Sequence, residues 1–149
     1  MSPILHTLLV CLVCAVSFGS AYASSNWLTL VGDPADPSSD YIEFDPSALT
    51  LDAGQATIPV RVSRSSPRTS KEGIVFRSFE SVVAVDCKKR TARFLQATFF
   101  AEPDFQGSPF RTEVFGPQDL RPMEFRLIKG APTRRVIDAA CSTTGIKSL

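Results

Sequence analysis

The stretch Phe79–Ala101, FESVVAVDCKKRTARFLQATFFA, constrains the fold more than any other part of the chain. Ser81 to Asp86 is a short Val-rich apolar run, the composition of a strand buried on both faces. Thr91 to Ala101 contains neither Gly nor Pro and carries Phe94, Phe99 and Phe100, which suits a central strand and not an edge. Two long strands therefore meet at the charged turn Cys87-Lys88-Lys89-Arg90, and the rest of the chain is expected to pack on this hairpin.

The cysteine in that turn takes its meaning from the compartment. Ile4 to Phe18 is apolar, and Ala21-Tyr22-Ala23 before Ser24 has the small-x-small form that a signal peptidase cleaves. Residues 1–23 are read as a secretory signal peptide, residues 24–141 as one domain and residues 142–149 as a disordered tail. The apolar run is short for a transmembrane helix, and no stop-transfer cluster follows it. No Lys or Arg precedes the run, which has only His6 there. A lipidated leader cysteine follows a small residue; Cys11 and Cys14 follow Val10 and Val13 inside the apolar run, so an unlipidated chain is expected.

Cleavage leaves 149 − 23 = 126 residues, enough for one domain that buries roughly two-thirds of its unfolded surface. All charged residues lie after Ala23, so the net charge stays at +1, too small a balance for general nucleic-acid binding. The mature chain has two cysteines, Cys87 and Cys141, and no histidine. In an oxidising space this pair is expected to form a disulfide, with two buried thiols as the alternative. Closing a loop of 141 − 87 = 54 residues would contribute roughly 4 kcal/mol on the chain-entropy model.

Around the hairpin the chain reads as short strands and turns. Asn26 to Val31 is a strand around Trp27, Gly32 to Asp40 is a loop, and Tyr41 to Phe44 is a strand stopped by Asp45-Pro46. Ser47 to Leu51 is ambiguous, with one helical turn as a reading, before the turn Asp52-Ala53-Gly54. Ala56, Ile58, Val60 and Val62 alternate with Thr57, Pro59, Arg61 and Ser63, a strand with one buried face in which Pro59 points to an edge or a bulge. Arg64 to Gly73, RSSPRTSKEG, is polar and basic and is expected to be an exposed, mobile loop. Glu102 to Pro109 is a turn. Phe110, Thr112 and Val114 then form one face of a strand opposite Arg111 and Glu113. After a break at Gly116 to Pro122, Met123, Phe125 and Leu127 alternate with Glu124 and Arg126 as a half-buried strand. Val136, Ile137, Ala140 and Cys141 share one helical face, with Pro132 in the first turn. The expected fold is α+β but mainly β: a single antiparallel sheet of about six strands with a C-terminal helix packed on it and one disulfide.

Without histidine, Ser-His-Asp and Cys-His nucleophilic machinery is excluded, as are His-containing zinc or copper sites. A bonded cysteine pair leaves no thiolate. Glu43, Asp45, Glu80, Asp86, Glu102, Asp104 and Glu113 supply carboxylates, but at strand ends or on expected outer faces, where they read as solubility residues. No phosphate-cradling glycine loop is present. Neither an enzyme nor a cofactor or metal is expected. The candidate partner contacts are Arg64, Arg68 and Lys71 of the basic loop and Lys88, Lys89 and Arg90 of the hairpin turn. Each group could meet an acidic partner, but a solvated connection for the loop and a charged cap for the turn are the commoner arrangements. Phe105 is the phenylalanine expected to be exposed, and so a further candidate partner contact; the others fall mostly on strand faces.

The order of these features resembles the surface-adhesin protein E family of Gram-negative bacteria. The residues that carry the resemblance are Trp27 early in the mature chain, Tyr41, Ile42 and Asp45, the alternating strand Ile58 to Val62, Asp86-Cys87 with Arg90 and Arg93 after it, and a helix ending in Cys141. It spans about Asn26 to Cys141. It implies a small antiparallel sheet with a packed helix, secreted to the periplasm or cell surface, and, in the family's named member, adhesion to host cells and host extracellular proteins. Pro59-Val60 stands where family strands commonly carry another Trp, and Lys129-Gly130-Ala131-Pro132-Thr133 only loosely echoes the usual Pro-Gly-Ser before the helix. Two roles follow: a non-enzymatic, adhesin-like binding domain for a host extracellular-matrix or serum protein, or an envelope-associated structural protein with no host ligand. Oligomeric state is open.

Overall fold

The computed structural model describes residues 26–119 and 121–145. The expected signal peptide and residues 146–149 of the expected tail lie outside the described residues. The elements are β1 (Leu28–Val31), β2 (Tyr41–Phe44), β3 (Thr50–Asp52), β4 (Gln55–Thr69), β5 (Val75–Asp86), β6 (Thr91–Phe100), β7 (Arg111–Val114) and α1 (Pro132–Thr143), with short 3-10 turns at Pro46–Ala48 and Pro103–Phe105. One antiparallel sheet runs β1-β2-β4-β5-β6-β7, and β3 also pairs with β4. The hairpin expected around Cys87 is β5–β6, with its turn at residues 87–90.

β4 is central, which corrects the edge reading drawn from Pro59; the strand is irregular, but between Ser63 and Arg68 and not at Pro59. Its backbone explains why proline is tolerated there. Pro59 O accepts from Asp45 N at 3.2 Å, so its missing N–H falls on the same side, in the gap between β2 and β3, where no strand asks for a donor. β4 also runs on to Thr69, which corrects the expected loop over Arg64–Gly73; only its last residues turn. The ladder with β5 breaks between Ser63 and Arg68, where Arg64 to Pro67 face Arg77 alone. The groups this break orphans find side-chain partners. Arg77 donates to Arg64 O at 3.2 Å and to Ser65 O at 2.8 Å, and Ser65 N donates to Asp40 Oδ1 at 2.7 Å.

The alternation of β4 sorts the sheet into two faces. Ala56, Ile58, Val60 and Val62 point to the core face, across from Val85, Val83, Ser81 and Phe79. α1 covers one end of this face with Pro132, Val136, Ile137, Ala140 and Cys141, and the Cys87–Cys141 disulfide (Cα–Cα 5.6 Å) ties it to the hairpin turn. The helix includes Ser142 and Thr143, which the sequence placed in a disordered tail. Phe76, Phe79, Phe94 and Phe99 line the other end, with ring centroids 5.2–5.9 Å apart.

Two expected strand faces differ in the structure. Met123 and Phe125 are buried, but their segment is an extended strap and not a ladder strand. Met123 N donates to Ala92 O at 2.8 Å, Thr133 Oγ1 donates to Met123 O at 3.0 Å, and Leu127 turns outward at φ 64°. In β7 the face of Phe110, Thr112 and Val114 is exposed, whereas Glu113 is half-buried.

Candidate functional site

Residues 27, 29, 41, 43, 61 and 63 fall on the face opposite α1, because Tyr41 pairs with Ser63, and Glu43 with both Arg61 and Thr29. The guanidinium carbon of Arg61 lies 4.3 Å from the Trp27 ring centroid and 4.7 Å from that of Phe105, within cation–π range of both. Its Nε donates to Glu43 Oε2 at 2.6 Å. Glu43 is buried, as is Asp45, which caps the turn at Ser47 N (2.9 Å); neither is the solvated residue expected. The side chains of Trp27, Arg61 and Phe105 are all half-buried and together form an aromatic–arginine platform.

Phe105 is thus not the free aromatic of a turn. Its ring packs edge-on against Tyr41 (6.4 Å) and Phe100 (6.2 Å). Asp104 and Phe105 both have positive φ, 56° and 61°; for a bulky residue such as Phe this left-handed backbone is strained by roughly 1–3 kcal/mol. Hydrogen bonds from the sheet hold it. Asp104 N donates to Ser63 Oγ and Phe105 N to Ser78 Oγ, both at 3.0 Å. Tyr41 OH donates to Asp104 Oδ1 at 2.9 Å. Burial, then this contact with the Asp104 carboxylate, pushes the Tyr41 phenol up to about 12.

On the core face, Arg64 continues the inward row of β4 past Val62 and is buried, which corrects its expected exposure. Arg64, Arg68 and Lys71 are brought together: all three line a cavity of about 640 Å³ beneath the strap. Arg64 Nη2 donates to Arg126 O at 2.9 Å and lies 3.5 Å from Asp40 Oδ2, which Arg68 also approaches at 3.7 Å. Burial raises the Asp40 carboxyl, but hydrogen bonds from Ser65 and the two guanidiniums outweigh it and hold the group below its ordinary value. Lys71 is 3.5 Å from Glu124. Lys88, Lys89 and Arg90 sit at the opposite end of β5, the length of the strand away. Lys88 and Lys89 are exposed, Lys89 Nζ is 3.6 Å from Asp86, and Arg90 pairs with Asp138 of α1.

The platform and the cavity were not read from the sequence. Trp27, Arg61 and Phe105 lie far apart along the chain and meet only through strand register. The one available signal was the even-numbered row of β4, which reaches Arg64 without a break.

Among the described residues no group of three His, Cys, Asp or Glu side chains could hold a metal ion, and no helix is long and apolar enough to cross a membrane. A scan against protein families matches residues 27–142 to "Surface-adhesin protein E". The chain belongs to the surface-adhesin protein E family. The match covers the sheet from Trp27 to the C-terminal helix, including both disulfide cysteines. Membership implies an adhesin-like, protein-binding role and a surface or extracytoplasmic location. No curated protein and no solved structure matches the chain.

Proposed function

We propose that this adhesin E family member is a surface-exposed, non-enzymatic binding domain that contacts a host extracellular-matrix or serum protein through the platform of Trp27, Arg61 and Phe105. The observation that carries the reading is the stacking of Arg61 on both Trp27 and Phe105, on the sheet face that α1 leaves open. Trp, Tyr and Arg are the residues enriched at binding hot spots. The strained backbone at Phe105 supports it further, because strain persists where the surroundings hold a functional conformation in place. Glu43 neutralises Arg61, so the contact is one of stacking and burial and changes little with salt, unlike one made by Lys88 and Lys89.

The test is binding of the purified domain to immobilised extracellular-matrix and serum glycoproteins, comparing the parent with Trp27→Ala, Phe105→Ala and Lys88→Glu/Lys89→Glu. Loss of a hot-spot aromatic weakens binding by about tenfold or more, whereas the lysine reversal alters mainly the association rate. Full affinity in both aromatic variants would exclude the platform; no binding by the parent to any of these proteins would favour the envelope-structural role.

A further inference from the structure

The cavity on the other face is a separate feature and does not depend on the platform. Its walls are Val62, Phe76, Phe79, Phe94, Ala97 and Phe99, roofed by Phe125 of the strap. A volume of about 640 Å³ lies within the range of small-molecule sites, about 300–1,000 Å³. The charges along its lining are unequally matched. Arg121 is held by Glu72 (2.7 Å) and Asp119 (2.5 Å), while Lys71 and Arg126 share Glu124 at 3.5 and 3.8 Å. Arg64 and Arg68 share the single carboxylate of Asp40, at 3.5 and 3.7 Å.

The two guanidiniums also retain unused donors. The Nε atoms of Arg64 and Arg68 are buried with no hydrogen-bond partner among the described residues. Arg64 is itself only 4% exposed. A buried charged donor without an acceptor is expensive, and native proteins seldom keep one without a use. An apolar chamber whose lining includes two guanidiniums that share one carboxylate is complementary to a molecule with an apolar tail and one anionic head.

We propose that this cavity binds an acyl-chain carboxylate, the chain among Phe76, Phe79, Phe94 and Phe99 and the carboxylate accepting from Arg64 and Arg68. A carboxylate offers two oxygens to the two guanidiniums that line the chamber, and its charge balances the cation that Asp40 leaves over. The tail has room only inside the chamber, so affinity rises by about fourfold for each added methylene until the chamber is full.

Calorimetric titration of the intact chain with octanoate, decanoate, laurate and dodecanol tests this. The expected result is saturable one-to-one binding that tightens from octanoate to laurate, with dodecanol at least tenfold weaker than laurate. Ala97→Phe fills the chamber without touching either arginine and weakens laurate at least tenfold, its folding checked by circular dichroism. Arg68→Gln, at a side chain 31% exposed, brings laurate down towards dodecanol. No saturable laurate binding by the parent, equal affinity for laurate and dodecanol, or parental affinity in a folded Ala97→Phe or in Arg68→Gln would each overturn the proposal. Because Trp27 and Phe105 lie on the opposite face, these outcomes are independent of the platform variants.

Discussion

Removing the Cys87–Cys141 bond by Cys87→Ala/Cys141→Ala should destabilise the domain without dismantling it. The bond closes a separation of 54 residues, and on the chain-entropy model such a loop contributes roughly 4 kcal/mol. The helix keeps its other attachments: Val136, Ile137 and Ala140 remain buried, and Arg135 Nη1 still donates to Leu30 O at 2.9 Å. Alanine is the right replacement because both cysteines are buried, and serine would add two hydroxyls with no partner. For a domain of this size, roughly 4 kcal/mol corresponds to a fall in Tm of roughly 15 °C. Urea unfolding of the oxidised parent and the double variant measures the loss, and the m-value should rise because the variant's unfolded chain is no longer looped. Each single Cys→Ala variant should lose nearly as much as the double, because either one breaks the same bond. A loss below about 1 kcal/mol in the double variant would refute the cross-link as a main source of stability, and additive single losses would assign the effect to packing of the two side chains.

Three further outcomes are expected. The folded pKa of Tyr41 is raised from 10.0 to about 12, so its stabilising effect is complete below pH about 10 and is lost as pH rises through about 12; absorbance titration of tyrosinate should show this late transition, and one near 10 would contradict the buried Tyr41–Asp104 contact. Surface exposure predicts that protease added to intact cells removes the protein while periplasmic markers survive; full protection would place it inside the envelope. Binding through the platform should change less than about threefold between low and physiological salt, and a steep decline would return the contact to Lys88, Lys89 and their neighbours.

The parts of the fold that were legible in the sequence are those whose signals are local. A Val-rich run, a charged turn and a Phe-bearing run without Gly or Pro mark β5 and β6, and the spacing of Val136, Ile137, Ala140 and Cys141 marks α1. The continuation of β4 was hidden because its support is not local: Arg77 and Asp40 satisfy a broken ladder that the composition of RSSPRT reads as loop. Pro59 misled for a related reason, since its cost depends on a gap between β2 and β3 that only the register shows. Met123 and Phe125 alternate like a strand, yet Met123 is held by single bonds to Ala92 and Thr133 and neither residue joins a ladder. The candidate site was the least legible part. Arg61 meets Trp27 and Phe105 only once three distant segments are aligned, and Arg64 changes from an exposed contact to a buried cavity wall by remaining in register with Val62.

Hydrogen–deuterium exchange of the domain alone and when saturated with a matrix or serum protein that it captures tests the binding face most directly. Slowed exchange at residues 27–29, 41–44, 61–63 and 102–106, with α1 and the strap at 121–127 unchanged, is the predicted footprint. Protection confined to α1, the strap or the turn at 87–90, with none at Trp27 or Phe105, would contradict the platform as the contact.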